Sequence, residues 1–70
     1  MSERTPEERL DRLMGRLRSH DDAIRIHAAL RLTGPGIDPT RARPALTDAL
    51  NDADAEVRRL AAWALARLAA

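Results

Sequence analysis

The chain has 70 residues and a net charge of +1, with twelve arginines, no lysine and eleven acidic residues. This length allows one small domain at most, and the near-neutral charge gives little long-range attraction to nucleic acid or anionic membranes. The chain has no cysteine for a disulfide or metal site, and fourteen of its hydrophobic residues are alanine, so the core is thin and self-association is one way to supplement it.

Two parts of the sequence repeat one pattern at an offset of 33 residues. The matching positions include Leu13 with Leu46, Leu17 with Leu50, Arg25 with Arg58, Ala29 with Ala62, and Leu32 with Leu65. A fixed period of this size is typical of stacked repeats, in which no unit can bury its apolar face alone. We therefore predict one all-α domain over residues 1–70, an α-solenoid fragment of two stacked antiparallel helical hairpins. Repeat one spans 5–33, a linker spans 34–38 and repeat two spans 39–69, with the four leucines at positions 13, 17, 46 and 50 buried.

Residues 5–33 predict the first pair of helices. Thr5 is a suitable N-cap, Pro6 fits the first helical position, and Glu8 completes a capping box. An apolar stripe at helical spacing follows, formed by Leu10, Leu13, Met14 and Leu17. Asp21 is the expected cap of the second helix, whose apolar residues lie on more than one side. A helix of this kind is usually packed on two sides.

Residues 34–69 predict the second pair. Gly34 is expected to adopt the left-handed conformation after the second helix, and Pro35 prevents the helix from continuing. Asp38 and Pro39 repeat the cap and proline of Thr5 and Pro6. The third helix begins either near Pro39 or near Pro44, because a proline inside a helix removes a hydrogen bond. Asp54 is the expected cap of the fourth helix. No alternating apolar pattern occurs, so we predict no strands.

The segment 49–65, ALNDADAEVRRLAAWAL, resembles the core of a HEAT repeat. It is most similar to the short bacterial form often called HEAT-like or phycobilisome-lyase-type repeats. The resemblance implies an α-solenoid that binds proteins, and it does not imply lyase activity. It also implies that a turn aspartate and a helix arginine tie neighbouring repeats together; Asp52 and Arg58 match those positions. In the first half Arg25 matches, but Ser19 replaces the aspartate.

Trp63 is the only aromatic residue and the first candidate for a binding surface. On a helical wheel it lies away from the apolar face of the last helix, with Arg59 and Arg67 one turn to either side. Its equivalent in repeat one is Leu30, which we expect to face the following repeat. A large side chain at an uncovered end indicates a contact with another chain. The alternative is that Trp63 folds over its own hairpin under the arginine stems.

The first helix offers a second candidate surface, a possible phosphate-binding face formed by Arg9, Arg12 and Arg16. Glu8 and Asp11 are interleaved with these arginines, and no aromatic residue accompanies them. A charged helix face of this kind is usually only solvated, which weighs against nucleic-acid binding.

Metal binding and catalysis have less support in the sequence. His20 and His27 lack the i, i+4 spacing that places two imidazoles on one face of a helix. No nucleophile lies beside an evident base, and no glycine-rich phosphate loop is present. We therefore expect no metal, no cofactor, no small-molecule substrate and no enzymatic activity.

Together these patterns predict a small protein–protein interaction module, with a homodimer through its last helix as one form of that interaction. The predicted contact residues are Arg59, Trp63, Ala66, Arg67 and Ala70. The alternative is a nucleic-acid or phosphate-binding adaptor. No apolar run is long enough for a secretory signal or a membrane span, so we expect a soluble, cytoplasmic protein without a membrane partner.

Overall fold

A computed structural model describes residues 5–69 and contains four α-helices. The helices are α1 (Pro6–Arg16), α2 (Asp22–Arg31), α3 (Pro39–Ala49) and α4 (Ala55–Ala69). No strand occurs within residues 5–69. The first residues of α1 and α3 are 33 positions apart, and so are those of α2 and α4. The predicted all-α architecture of two helical hairpins is therefore confirmed.

Each helix begins after a residue whose side chain accepts a backbone N–H from the first turn. These bonds join Thr5 to the N–H of Glu8 (3.1 Å), Asp21 to that of Ala23 (2.9 Å), Asp38 to that of Thr40 (2.9 Å), and Asp54 to that of Glu56 (2.8 Å). Such bonds satisfy N–H groups that have no partner within the helix. The caps predicted from sequence at Thr5, Asp21, Asp38 and Asp54 are confirmed.

Between the hairpins the chain reverses direction at residues 34–37, and here one prediction is wrong. Gly36, not Gly34, has a positive φ, of 82°. The N–H of Ile37 donates to the carbonyl of Gly34 at 3.4 Å, so Pro35 and Gly36 occupy the two central positions of a turn. Proline followed by a glycine with positive φ is the pattern of a type II turn. The residue in the left-handed conformation is therefore Gly36 in the turn, two positions after the glycine that the end of α2 predicted.

The third helix begins at Pro39 and continues through Pro44, which decides between the two starting points that the sequence left open. Pro44 is exposed and lacks the N–H that would donate to the carbonyl four residues earlier. Tertiary packing of this helix therefore outweighs the cost of an internal proline.

The two hairpins enclose one core, in which α2 contacts α1 and α4, and α3 contacts α4 and α1. The prediction that α2 packs on two sides is confirmed. The largest fully buried side chains are Leu10, Leu32, Leu46 and Val57. Leu13 and Leu17 are also buried, but Leu50 is 37% exposed. Its predicted burial is wrong, because no further hairpin follows α3 and α4 in the described structure to cover it.

Candidate protein-interaction surfaces

Trp63 lies in the third turn of α4 and is 42% exposed. The buried residues of this helix, Val57, Ala61 and Ala64, lie on a different side, as expected from 3.6 residues per turn. The guanidinium carbon of Arg67 lies 5.1 Å from the centroid of the Trp63 ring, within the range of a cation–π contact. This contact matches the alternative in which the arginine stems pack on the ring, yet a large part of Trp63 still faces solvent.

The residues around Trp63 are also exposed. Arg59 forms an ion pair with Glu56 at 3.3 Å, and both side chains are largely solvated. Such surface pairs contribute little to stability. Ala66 and Arg67 are exposed, and Ala70 lies outside the described residues.

Leu30, the equivalent of Trp63 in repeat one, is 45% exposed. The prediction that repeat two covers Leu30 is therefore wrong. The buried residues of α2, Ala28 and Ala29, lie roughly on the opposite side of that helix from Leu30. It follows that Trp63 is exposed because of the side of the helix on which it lies, and not because a third repeat is missing.

The strongest polar contact between the two repeats joins Arg25 on α2 to Asp52 in the turn before α4. The Nε of Arg25 donates to Asp52 Oδ2 at 2.9 Å, and Nη2 donates to Oδ1 at 3.1 Å. Only 14% of each side chain is exposed. The third donor, Nη1, bonds the carbonyl of Ser19 at 2.7 Å. This bidentate geometry fixes the orientation of the two repeats relative to each other.

Electrostatics stabilise the charged forms of both partners. The pKa of Asp52 is lowered chiefly by a hydrogen bond from the backbone N–H of Asp54, and further by the guanidinium of Arg25, while partial burial opposes the change. The hydrogen bond to Asp52 raises the pKa of Arg25. The resemblance had indicated a tie formed by Asp52 and Arg58, but the carboxylate of Asp52 pairs with the arginine of the other repeat.

Arg58 bonds backbone instead. Its Nη1 donates to the carbonyl of Asp52 at 2.6 Å and to that of Ala53 at 3.1 Å. Among residues 5–69 no carboxylate forms an ion pair with Arg58. The resemblance implies a carboxylate partner for Arg58, whereas the hydrogen bonds of its side chain go to these two backbone carbonyls.

The basic face of α1 is only partly available to a phosphate ligand. Arg12 and Arg16 are exposed, whereas Arg9 is partly buried and its Nη2 lies 3.5 Å from the carbonyl of Pro35. Beside this face, Asp11 pairs with Arg41 of α3 at 2.8 Å. Phosphate binding by these arginines stays a prediction, and nothing in the geometry favours it over protein binding.

The histidines and the grooves are further candidate sites for a metal or a small ligand. His20 and His27 are both exposed, and residues 5–69 contain no group of three or more metal-binding side chains. Two open grooves of about 530 and 550 Å³ are present, one lined mainly by α1 and α3 and the other by α1 and α2. No helix in the described structure is long and apolar enough to cross a membrane.

Two helical hairpins of one pattern, joined through a shared core and an inter-repeat ion pair, define an α-solenoid unit. The family model described as HEAT repeats matches residues 5–70. This chain therefore belongs to the HEAT repeat family, whose members generally mediate protein–protein interaction. Searches among curated proteins and among solved structures found no match.

Proposed function

We propose that this chain is a non-enzymatic protein-interaction module that binds through the exposed side of α4. We call this surface the Trp63 strip, and its described residues are Arg59, Trp63, Ala66 and Arg67. The observation that carries the proposal is that Trp63 stays 42% exposed beside the guanidinium of Arg67. Tryptophan and arginine are the residue types that most often dominate binding energy at protein interfaces.

The structure supports a surface wider than one side chain. Leu30 on the adjacent helix α2 is 45% exposed, so both repeats contribute an apolar side chain from the equivalent position. Arg59 and Arg67 supply guanidinium groups around Trp63. A partner that fits this surface presents an apolar side chain with carboxylates close to it.

A second copy of this chain is the first partner to test. The thin core gives the fold little stability, and burial of Trp63 in a dimer would add to it. Light scattering over a wide concentration range measures the oligomeric state directly. We expect Trp63→Ala to weaken any homodimer. The matched control is Ile24→Ala, which removes apolar surface from a side chain of similar exposure, 40%, on another helix.

Trp63 is the only tryptophan, so its fluorescence reports on the strip without labelling. Burial by a partner, whether a second copy or another protein, should shift its emission to shorter wavelength. Far-UV circular dichroism checks that Trp63→Ala remains folded. If the folded Trp63→Ala variant binds every partner of the native chain with unchanged affinity, the proposed function of the strip is wrong.

A further inference from the structure

Arg25 and Arg58 have the same backbone anchor, six residues earlier in the chain. Arg25 Nη1 donates to the carbonyl of Ser19 at 2.7 Å, and Arg58 Nη1 donates to the carbonyl of Asp52 at 2.6 Å. For Arg25 this anchor leaves Nε and Nη2 directed at the carboxylate of Asp52 in the next repeat. Arg58 therefore makes the same backbone hydrogen bond as Arg25. In repeat one this bond positions the guanidinium of Arg25 for the carboxylate of the following hairpin.

Three apolar residues of repeat two also correspond to buried residues of repeat one. Leu17, Ala29 and Leu32 of repeat one are buried, with 8%, 0% and 0% exposure. Their equivalents 33 residues later are less covered: Leu50 is 37% exposed, Ala62 is exposed and Leu65 is only partly buried. Repeat two thus has leucine, alanine and leucine at the positions that are buried in repeat one. In repeat two nothing in the described structure covers them fully. We call Leu50, Arg58, Ala62 and Leu65 the stacking face.

We propose that the stacking face docks a helical-hairpin repeat of another protein, one that carries an aspartate where this chain has Asp52. That aspartate would accept hydrogen bonds from Nε and Nη2 of Arg58, as Asp52 accepts them from Arg25. Small apolar residues at the start of the partner's hairpin would cover Leu50 and Ala62. This surface lies on a different side of α4 from the Trp63 strip, so the proposal goes beyond the proposed function.

A second copy of this chain does not supply such a partner. Its opposite end, the face that would meet the stacking face in a head-to-tail pair, has Ser19 in place of an aspartate. Four further positions on that end are cationic or polar where repeat two has small or apolar residues. They are Arg12 for Ala45, Arg16 for Ala49, His27 for Leu60, and Arg31 for Ala64. A head-to-tail pair would therefore lack the ion pair and bring arginines against Arg58.

The groove at that opposite end has the same character. Its volume is about 550 Å³, and its lining includes Arg12, Arg16, His27 and Arg31 but no carboxylate. The corresponding surface of repeat two carries Asp48, Asp52 and Glu56. That surface of repeat two faces repeat one, as the bond from Arg25 to Asp52 shows. The end formed by repeat one is therefore cationic, whereas the stacking face at the other end presents apolar residues around Arg58.

The proposal is tested by giving the cationic end the residues of repeat two. The converted variant carries Arg12→Ala, Arg16→Ala, Ser19→Asp, His27→Leu and Arg31→Ala. It also carries Arg58→Gln, which weakens its own stacking face and so disfavours growth beyond a pair. We expect the native chain to form a heterodimer with this variant, measured by sedimentation and by isothermal titration calorimetry. The native chain alone should form no head-to-tail pair.

Arg58→Gln in the native chain should weaken binding to the converted variant by at least about tenfold, since the lost hydrogen bonds involve charged groups. Arg18→Gln, which changes an exposed arginine elsewhere, should leave the affinity unchanged. Trp63→Ala should also leave it unchanged, so failure here is distinguishable from failure of the Trp63 strip. No heterodimer with a folded converted variant, or equal affinity with Arg58→Gln, would overturn the proposal. Head-to-tail pairing of the native chain that depends on Arg58 would identify a second copy as the occupant instead.

A second measurement covers the case in which the converted variant does not fold. A copy of residues 34–70 joined after Ala66 preserves the 33-residue period and includes the turn at Pro35 and Gly36 that reverses the chain between hairpins. It is designed to place a duplicate of Asp52 opposite Arg58. We expect this three-repeat chain to melt at a higher temperature than the same chain with Arg58→Gln. Equal melting temperatures would show that the stacking face does not accept such a hairpin.

Discussion

Leu17 and Leu50 are a matched pair in which burial is the main difference. Each is the C-cap of its helix, and each precedes the turn between the two helices of its repeat. Leu17 is 8% exposed and Leu50 is 37% exposed. Leu17→Ala loses transfer energy and leaves a cavity, which together should cost about 2 to 3 kcal/mol. Leu50→Ala removes a partly solvated group whose space water can fill, so we expect about 1 kcal/mol.

These losses are large relative to the total. A folded chain of this length has a free energy of unfolding of roughly 4 to 10 kcal/mol. Urea denaturation followed by circular dichroism measures it for both variants, with the denaturant slope as a check that unfolding remains two-state. Equal losses at the two positions would refute the reasoning. A larger loss for Leu50→Ala would mean that another molecule covers Leu50 in solution, which repetition at several protein concentrations would reveal.

Four further substitutions test single positions. The folded-state pKa of Asp52 is lowered, so its charge stabilises the fold above about pH 4. This contribution is lost as the pH falls through the folded-state pKa. Asp52→Asn should therefore lower the free energy of unfolding at neutral pH and make it fall less steeply with acidification. Gly36→Ala should cost about 1 to 2 kcal/mol because φ is +82° and a Cβ would lie 3.2 Å from Arg9, whereas Gly15→Ala, which meets no atom within 4 Å, should stabilise α1 by up to about 1 kcal/mol. Pro44→Ala should raise the free energy of unfolding by about 1 to 3 kcal/mol, since it restores a backbone donor inside α3; an unchanged value in denaturant titration would contradict this reasoning for α3.

Most of the architecture could be predicted because it follows from local chemistry repeated at a fixed offset. The caps at Thr5, Asp21 and Asp54 combine a short acceptor side chain with a following helical pattern, and this relation involves only neighbouring residues. The position of the positive φ was missed, because the type II turn at Pro35 and Gly36 competes with a glycine cap at Gly34. Both patterns require glycine, and the sequence has glycine at both places.

The surfaces were harder to predict because a helical wheel gives angles but not the direction of each neighbour. Trp63 was correctly placed away from the core side of α4. Its exposure was nevertheless assigned to a missing repeat, and the exposure of Leu30, which has a repeat beside it, contradicts that assignment. Applying the 33-residue offset to the buried residues of α2 would have pointed to Ala62 and Leu65 as the end of the solenoid.

The ion pair between Arg25 and Asp52 explains why the two ends of the molecule differ. Repeat one donates Arg25 forwards, and repeat two accepts it through the turn aspartate Asp52. A repeat that carried both residues would have a receptor at one end and a donor at the other. Ser19 removes the receptor from repeat one, while Arg58 preserves the donor on repeat two. Loss of the aspartate alone would leave an apolar end that still attracts other hairpins, and the arginines at positions 12, 16 and 31 oppose this by solvation and charge. Stacking at the proposed face would therefore be directional, with the partner's hairpin packed against Leu50, Arg58, Ala62 and Leu65.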